Sequence, residues 1–133
     1  MHIYACFLLL SVLGLEMRNA ILGLQTQILE NGGDGELKGL ILDLRGNPGG
    51  LLTSAVDVAS LLVPRGSDIV SAKGRGFPGV LYRSKVEPLL NVGQGRTKLA
   101  VLVNSNTASA AEIVSGAIQD LDLGVSVASL PVS

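Results

Sequence analysis

Two stretches of this chain, Leu37–Leu44 (LKGLILDL) and Leu99–Val103 (LAVLV), place apolar residues in succession without regular polar alternation, and turn residues bound the first on both sides. A strand with one face in water alternates, so such runs suit strands buried on both faces. Each is followed by a loop and then by a helical period. Arg45-Gly46-Asn47-Pro48-Gly49-Gly50 leads to an apolar face of Ala55, Val58, Ala59 and Leu62, which Pro64-Arg65-Gly66 closes. Residues 104–108 lead to a helix over Ser109–Leu121 with Ala110, Ile113, Val114, Ala117 and Ile118 on one side. The repeated order of strand, loop and helix predicts an α/β layering.

The remainder fits around these units. Met17, Ala20, Ile21, Leu24 and Ile28 recur at three and four residues, predicting an amphipathic helix over Glu16–Glu30 that Asn31-Gly32-Gly33-Asp34-Gly35 ends. Asp68–Ser71 and Val80–Arg83 read as short strands about a glycine-rich turn, and Lys85–Arg96, which has no period, reads as a surface loop. A length of 133 residues bounds the fold to one domain with a modest core, and 47% apolar against 16% charged residues excludes a disordered composition. Residues 1–15 form an apolar N-terminal segment, 16–120 the domain, and 121–133 a divergent tail. The Ile3–Leu15 run is compatible with an export signal or a buried strand; it lacks a Lys or Arg before it and is too short to span a bilayer comfortably.

Composition also limits partners and chemistry. The net charge of −1, without a basic cluster, argues against nucleic acid and anionic lipid as partners. With Cys6 the only cysteine and His2 the only histidine, an intrachain disulfide is impossible, and neither a zinc site nor a Ser-His-Asp relay is expected. No metal or other cofactor is expected. Gly74-Arg75-Gly76-Phe77-Pro78-Gly79 matches the text of a dinucleotide loop, but Pro78 and the β-prone Val80-Leu81-Tyr82 that follow indicate a hairpin.

Candidate chemistry lies at the two loops that end the buried strands, where open α/β sheets bind ligands. Gly49 and Gly50 allow backbone N–H groups to approach an anion closely, and the Ala110 N–H at a helix start can face the same point as the Ser109 hydroxyl. Ser109 is thus a candidate nucleophile, with Gly49, Gly50 and Ala110 as candidate oxyanion-hole donors. The same residues have plainer readings: Ser109-Ala110-Ala111-Glu112 is also the text of a capping box, and the glycines are ordinary turn residues. Asp43 and Arg45 read as a polar clamp at a strand end rather than an acid–base dyad.

Together Gly39–Pro64 (GLILDLRGNPGGLLTSAVDVASLLVP) and Leu99–Asp120 (LAVLVNSNTASAAEIVSGAIQD) resemble the C-terminal processing, or tail-specific, serine peptidases. The resemblance covers most of Met17–Asp120. It implies a crotonase-like arrangement of ββα units, here incomplete, with Ser109 as nucleophile, Gly49, Gly50 and the Ala110 amide as oxyanion-hole donors, and Ala111 where a further serine is common. It implies proteolysis near the C-terminal region of polypeptide substrates by a Ser-Lys pair, and a location in the bacterial periplasm or thylakoid lumen. The family's lysine follows the serine by roughly two dozen residues in a T-F-G-K-G-like segment. Here Lys38, Lys73, Lys85 and Lys98 all precede Ser109 and read as solvated, and no PDZ domain is expected in these residues. The expectation is an inactive or nearly inactive fragment whose truncation leaves the Leu99–Val103 strand or a neighbour with an unpaired edge. The alternatives are a non-catalytic peptide-binding or assembly module and a crotonase-fold acyl-CoA enzyme.

Overall fold

The computed structural model describes residues 3–7, 14–92 and 95–128. The chain order is β1 (Ile3–Phe7), α1 (Gly14–Glu30), β2 (Gly39–Asp43), α2 (Leu52–Ser60), β3 (Asp68–Gly74), β4 (Phe77–Arg83), β5 (Lys98–Val103), α3 (Ala110–Asp120) and β6 (Val125–Ala128). Four strands form one parallel sheet in the order β1-β2-β5-β6. β3 and β4 form a separate antiparallel hairpin in which Gly74 pairs with Phe77, so the dinucleotide-like text is a tight turn between strands.

The strand order explains where the core sits. The three helical crossovers all advance in one direction along the sheet, and crossovers of one hand then place their helices on one face. α2 packs between α1 and α3. Under them lie Leu40, Leu42, Leu44, Leu99 and Val101, all buried, with Met17, Ile21 and Ile28 of α1, Ala55, Val58 and Ala59 of α2, and Val114, Ala117 and Ile118 of α3. Burying this many branched side chains, at roughly 1.5–3 kcal/mol each, is what offsets the entropy of ordering the backbone. Gly14 lets α1 start against α2, since a Cβ there would lie 2.7 Å from Asp57 Cβ.

Several expectations change. The central strands are fully buried on the helix face only: Ile41, Asp43, Ala100 and Leu102, which alternate with the core residues, are partly exposed because no helix covers that side among the described residues. β5 itself is an interior strand, held by β2 and β6, and among the described residues the open edges fall on β1 and on β6, so the unpaired edge lies on the neighbour of the Leu99–Val103 strand. Ile3–Phe7 is a strand beside β2, and residues after Asp120 return to the sheet as β6. Ala20 faces solvent. The 85–96 stretch is more than a surface loop, because Leu90 and Val92 are buried and the Leu89 N–H donates to the Leu61 carbonyl at 2.8 Å. His2, residues 8–13 and 129–133, to which the N-terminal and tail expectations extend, lie outside the described residues.

On β6, Val125 and Val127 are 65% and 47% exposed on an edge strand, an arrangement that templates pairing with another chain. Replacing Val127 with Lys is expected to suppress concentration-dependent light scattering while changing monomer stability by less than about 0.5 kcal/mol. Unchanged scattering would place the association elsewhere.

Candidate active site

β2 and β5 pair in register from Gly39 with Lys98 to Asp43 with Leu102, which brings the loops after them side by side at the carboxyl end of the sheet. Polar bonds then join the two loops. The Leu44 N–H donates to the Leu102 carbonyl at 2.8 Å, the Gly46 N–H to Asn104 Oδ1 at 2.9 Å, and the Ala108 N–H to the Asn47 carbonyl at 3.0 Å. The Thr107 hydroxyl donates to the Leu44 carbonyl at 2.7 Å. Ser109 and Gly49, 60 residues apart in sequence, therefore meet: a Cβ on Gly49 would lie 2.8 Å from Ser109 Cβ, the Ala110 nitrogen and the Ala108 oxygen.

The backbone at Ser109 is unusual. Its φ of 54° and ψ of −121° put a non-glycine residue in a region that costs of order 1–3 kcal/mol, at a sharp turn between β5 and α3. Strained strand-to-helix turns of this kind lift a serine hydroxyl clear of the sheet. Ser109 is exposed accordingly, whereas Ala110 and Ala111 behind it are buried. The Ser109 N–H donates to the Glu112 carboxylate at 3.2 Å, and the capping box is present alongside the strained geometry. As the first residue of α3, Ala110 carries an N–H with no intrahelical acceptor, at the positive end of the helix dipole.

The glycines divide their roles. The Gly49 N–H, expected to face an anion, instead donates to Asn47 Oδ1 at 2.9 Å, because Asn47 is buried and closes a local turn on it. What Gly49 supplies is the absence of a Cβ beneath Ser109, at a φ of 93°. Gly50, next in the chain, is exposed at the loop's end.

Asp43 and Arg45 form a two-pronged ion pair, Arg45 Nε to Asp43 Oδ1 at 2.9 Å and a second guanidinium nitrogen to Oδ2 at 2.7 Å. The Arg45 N–H also donates to Oδ1 at 3.0 Å. These bonds, the side-chain one foremost, hold the Asp43 carboxyl below its usual range. The geometry is that of a clamp at the start of the glycine loop. Among the described residues no group of three or more His, Cys, Asp and Glu side chains could hold a metal, and no helix is long and apolar enough to cross a membrane.

The lysines lie elsewhere. Lys38 and Lys98 flank the amino ends of β2 and β5, opposite Ser109, and Lys38 pairs with Asp34 at 3.1 Å and Glu36 at 2.8 Å, which raise its pKa. Lys73 and Lys85 are exposed on and beside the hairpin. Sequence reasoning passed over Asn47, Asn104 and Thr107 as individual players. The available signal was a cluster of turn-forming Asn and Thr residues directly after two buried strands.

The family model of peptidase family S41 matches residues 16–129. The chain is 39% identical over 106 residues to a carboxy-terminal-processing protease of Bartonella bacilliformis, covering 79% of this chain and 22% of that protein. It is 41% identical over 96 residues to a carboxyl-terminal-processing protease of Synechocystis, covering 71% of this chain and 20% of that one. A solved photosystem II D1 C-terminal processing protease superposes with a TM-score of 0.59 at 35% identity, over 81% of this chain and 26% of its own. The chain thus spans about a fifth of the length of the curated relatives it matches.

Three outcomes follow. Gly49→Ala is expected to destabilise by about 2–4 kcal/mol in chemical denaturation, because both the backbone region and the contact with Ser109 oppose a Cβ. Gly46→Ala, also at positive φ but with open space around it, should cost only about 1–2 kcal/mol. Because the Asp43 pKa is depressed on folding, the clamp's stabilisation is fully present above the unfolded carboxylate value near pH 4 and is lost as pH falls through the lower folded value. The stability difference between wild type and Asp43→Asn should therefore shrink on acidification below about pH 4, read from urea midpoints across pH.

Proposed function

The chain belongs to peptidase family S41, and from that membership we propose that it is the nucleophile-bearing part of a serine endopeptidase that cleaves polypeptides near their C-termini. The observation that carries this reading is the strained turn at Ser109 pressed against Gly49. In the proposed chemistry Ser109 Oγ attacks the scissile carbonyl, and the oxygen that gains charge is met by N–H groups of Ala110 and Gly50. The dipole of α3 adds to that stabilisation, while the Ser109 N–H stays engaged with Glu112. Gly49 supports the site by close approach. We read the fold as part of a crotonase-like domain, supported by the one-directional parallel sheet with helices on one face.

A serine of ordinary pKa needs a base. A lysine can serve only when burial or nearby positive charge depresses its pKa. Lys38 is shifted in the opposite direction by two carboxylates, and Lys73, Lys85 and Lys98 are exposed. On this reading the 133 residues by themselves hold the nucleophile and the oxyanion donors without the proton acceptor, and turn over peptide poorly or not at all.

A fluorophosphonate probe tests both halves. Labelling is expected at Ser109, lost in Ser109→Ala, and roughly 10²–10⁴-fold slower than for an intact family peptidase. Labelling at parity with the intact enzyme would overturn the missing-base reading. Labelling spread evenly over exposed serines would overturn the nucleophile.

A further inference from the structure

The two central strands are pinned at both ends by the same device. At the amino ends the buried Thr97 hydroxyl donates to the Leu37 carbonyl at 2.8 Å, and at the carboxyl ends the buried Thr107 hydroxyl donates to the Leu44 carbonyl at 2.7 Å. Thr97 is a local fastener near the first residue of β5. Thr107 is more. Its oxygen also accepts the Asn104 N–H at 3.0 Å, and its own N–H donates to the Asn104 carbonyl at 3.0 Å, so it closes the Asn104–Thr107 turn on itself as well as on β2.

Two residues later stands Ser109. Between them the Ala108 N–H is bound to the Asn47 carbonyl, and Asn47 Oδ1 in turn holds the Gly49 N–H. The backbone height of Ser109 over Gly49 is thus set by a short series of bonds that starts at Thr107 Oγ1.

The geometry points to Thr107 as a positioning residue for the Ser109 nucleophile, acting through the Leu44 carbonyl and the Asn104 turn and touching no substrate. This rests on the reading of Ser109 as nucleophile. A hydroxyl is required at Thr107 because two backbone groups, a buried acceptor and a partly buried donor, meet on a single side-chain atom, and only a hydroxyl serves both at once. Valine would fill the same space, strip the Asn104 N–H of this acceptor, and leave the Leu44 carbonyl with only the longer bond from the Asn47 N–H at 3.2 Å. The strained turn would then relax away from the oxyanion donors. A misplacement of about 1 Å at a reacting atom is enough to cost as much as 10²-fold in rate.

The experiment compares fluorophosphonate labelling of the full chain, resolved by site with mass spectrometry, for wild type, Thr107→Val, Thr107→Ser and Thr97→Val. Labelling forms the Ser Oγ–phosphorus bond, expels fluoride and releases the hydroxyl proton to solvent. Exposed Ser105 in the neighbouring turn is the internal reference for unassisted reactivity. Thr97→Val removes a buried hydroxyl that holds one backbone carbonyl at the far end of the same strand pair and controls for lost stability. The expected result is a fall of about tenfold or more in the Ser109 to Ser105 ratio for Thr107→Val, with Thr107→Ser and Thr97→Val within about twofold of wild type. If Thr107→Val does not fold, Thr107→Ala makes the same contrast. Equal effects of the two valine variants, or none from Thr107→Val, would overturn the positioning role. A wild-type Ser109 that labels no faster than Ser105 would instead overturn the nucleophile reading, and the proposal with it.

Discussion

The register between β2 and β5 is the constraint on which the rest of this molecule depends. Their pairing sets Leu40 and Leu42 beside Leu99 and Val101 under the helices, and it also decides which loop residues can meet at the carboxyl end. A slip of one residue would turn Ile41 and Ala100 toward the core and carry the Ser109 turn out of reach of Gly49. The polar bonds between the loops, from the Thr107 hydroxyl, the Asn104 amide oxygen and the Asn47 carbonyl, all run to main-chain groups. They act as a check on register that apolar packing, which tolerates sliding, cannot provide.

The same pairing relates the core to the site. The side chains that bury the sheet are branched and stiff, whereas those that shape the loops are short and polar and take up hydrogen bonds that no regular element can satisfy. The site is therefore held from below by packing and from the sides by hydrogen bonds. The Asp43–Arg45 pair contributes at the margin, where β2 gives way to the glycine loop. It is partly solvated, and its worth lies more in the direction it gives the chain than in Coulomb energy.

Much of this was legible from residue order. Apolar runs, helical periods and the position of Ser109 before a helix identified β2, β5, the three helices and the two loops that meet, but not β6. Less legible was anything that depends on which strands become neighbours. Asn104 and Thr107 reach partners 58 and 63 residues away, and no local pattern encodes that reach. The open face of the sheet was hidden for a related reason: Ile41 and Leu102 are as apolar as Leu42 and Val101, and only the common direction of the crossovers leaves them uncovered. Leu90 and Val92 packed beneath a segment with no period because burial there comes from docking on Leu61 rather than from secondary structure.

The positive φ at Ser109 has a consequence for how this position tolerates change. A glycine would adopt φ 54°, ψ −121° with little steric penalty, so the most comfortable residue for the turn is one with no hydroxyl. Serine keeps the backbone under tension at the point where α3 begins. Selection for stability alone would drift this position toward glycine. Serine is therefore the costlier choice for folding at this turn.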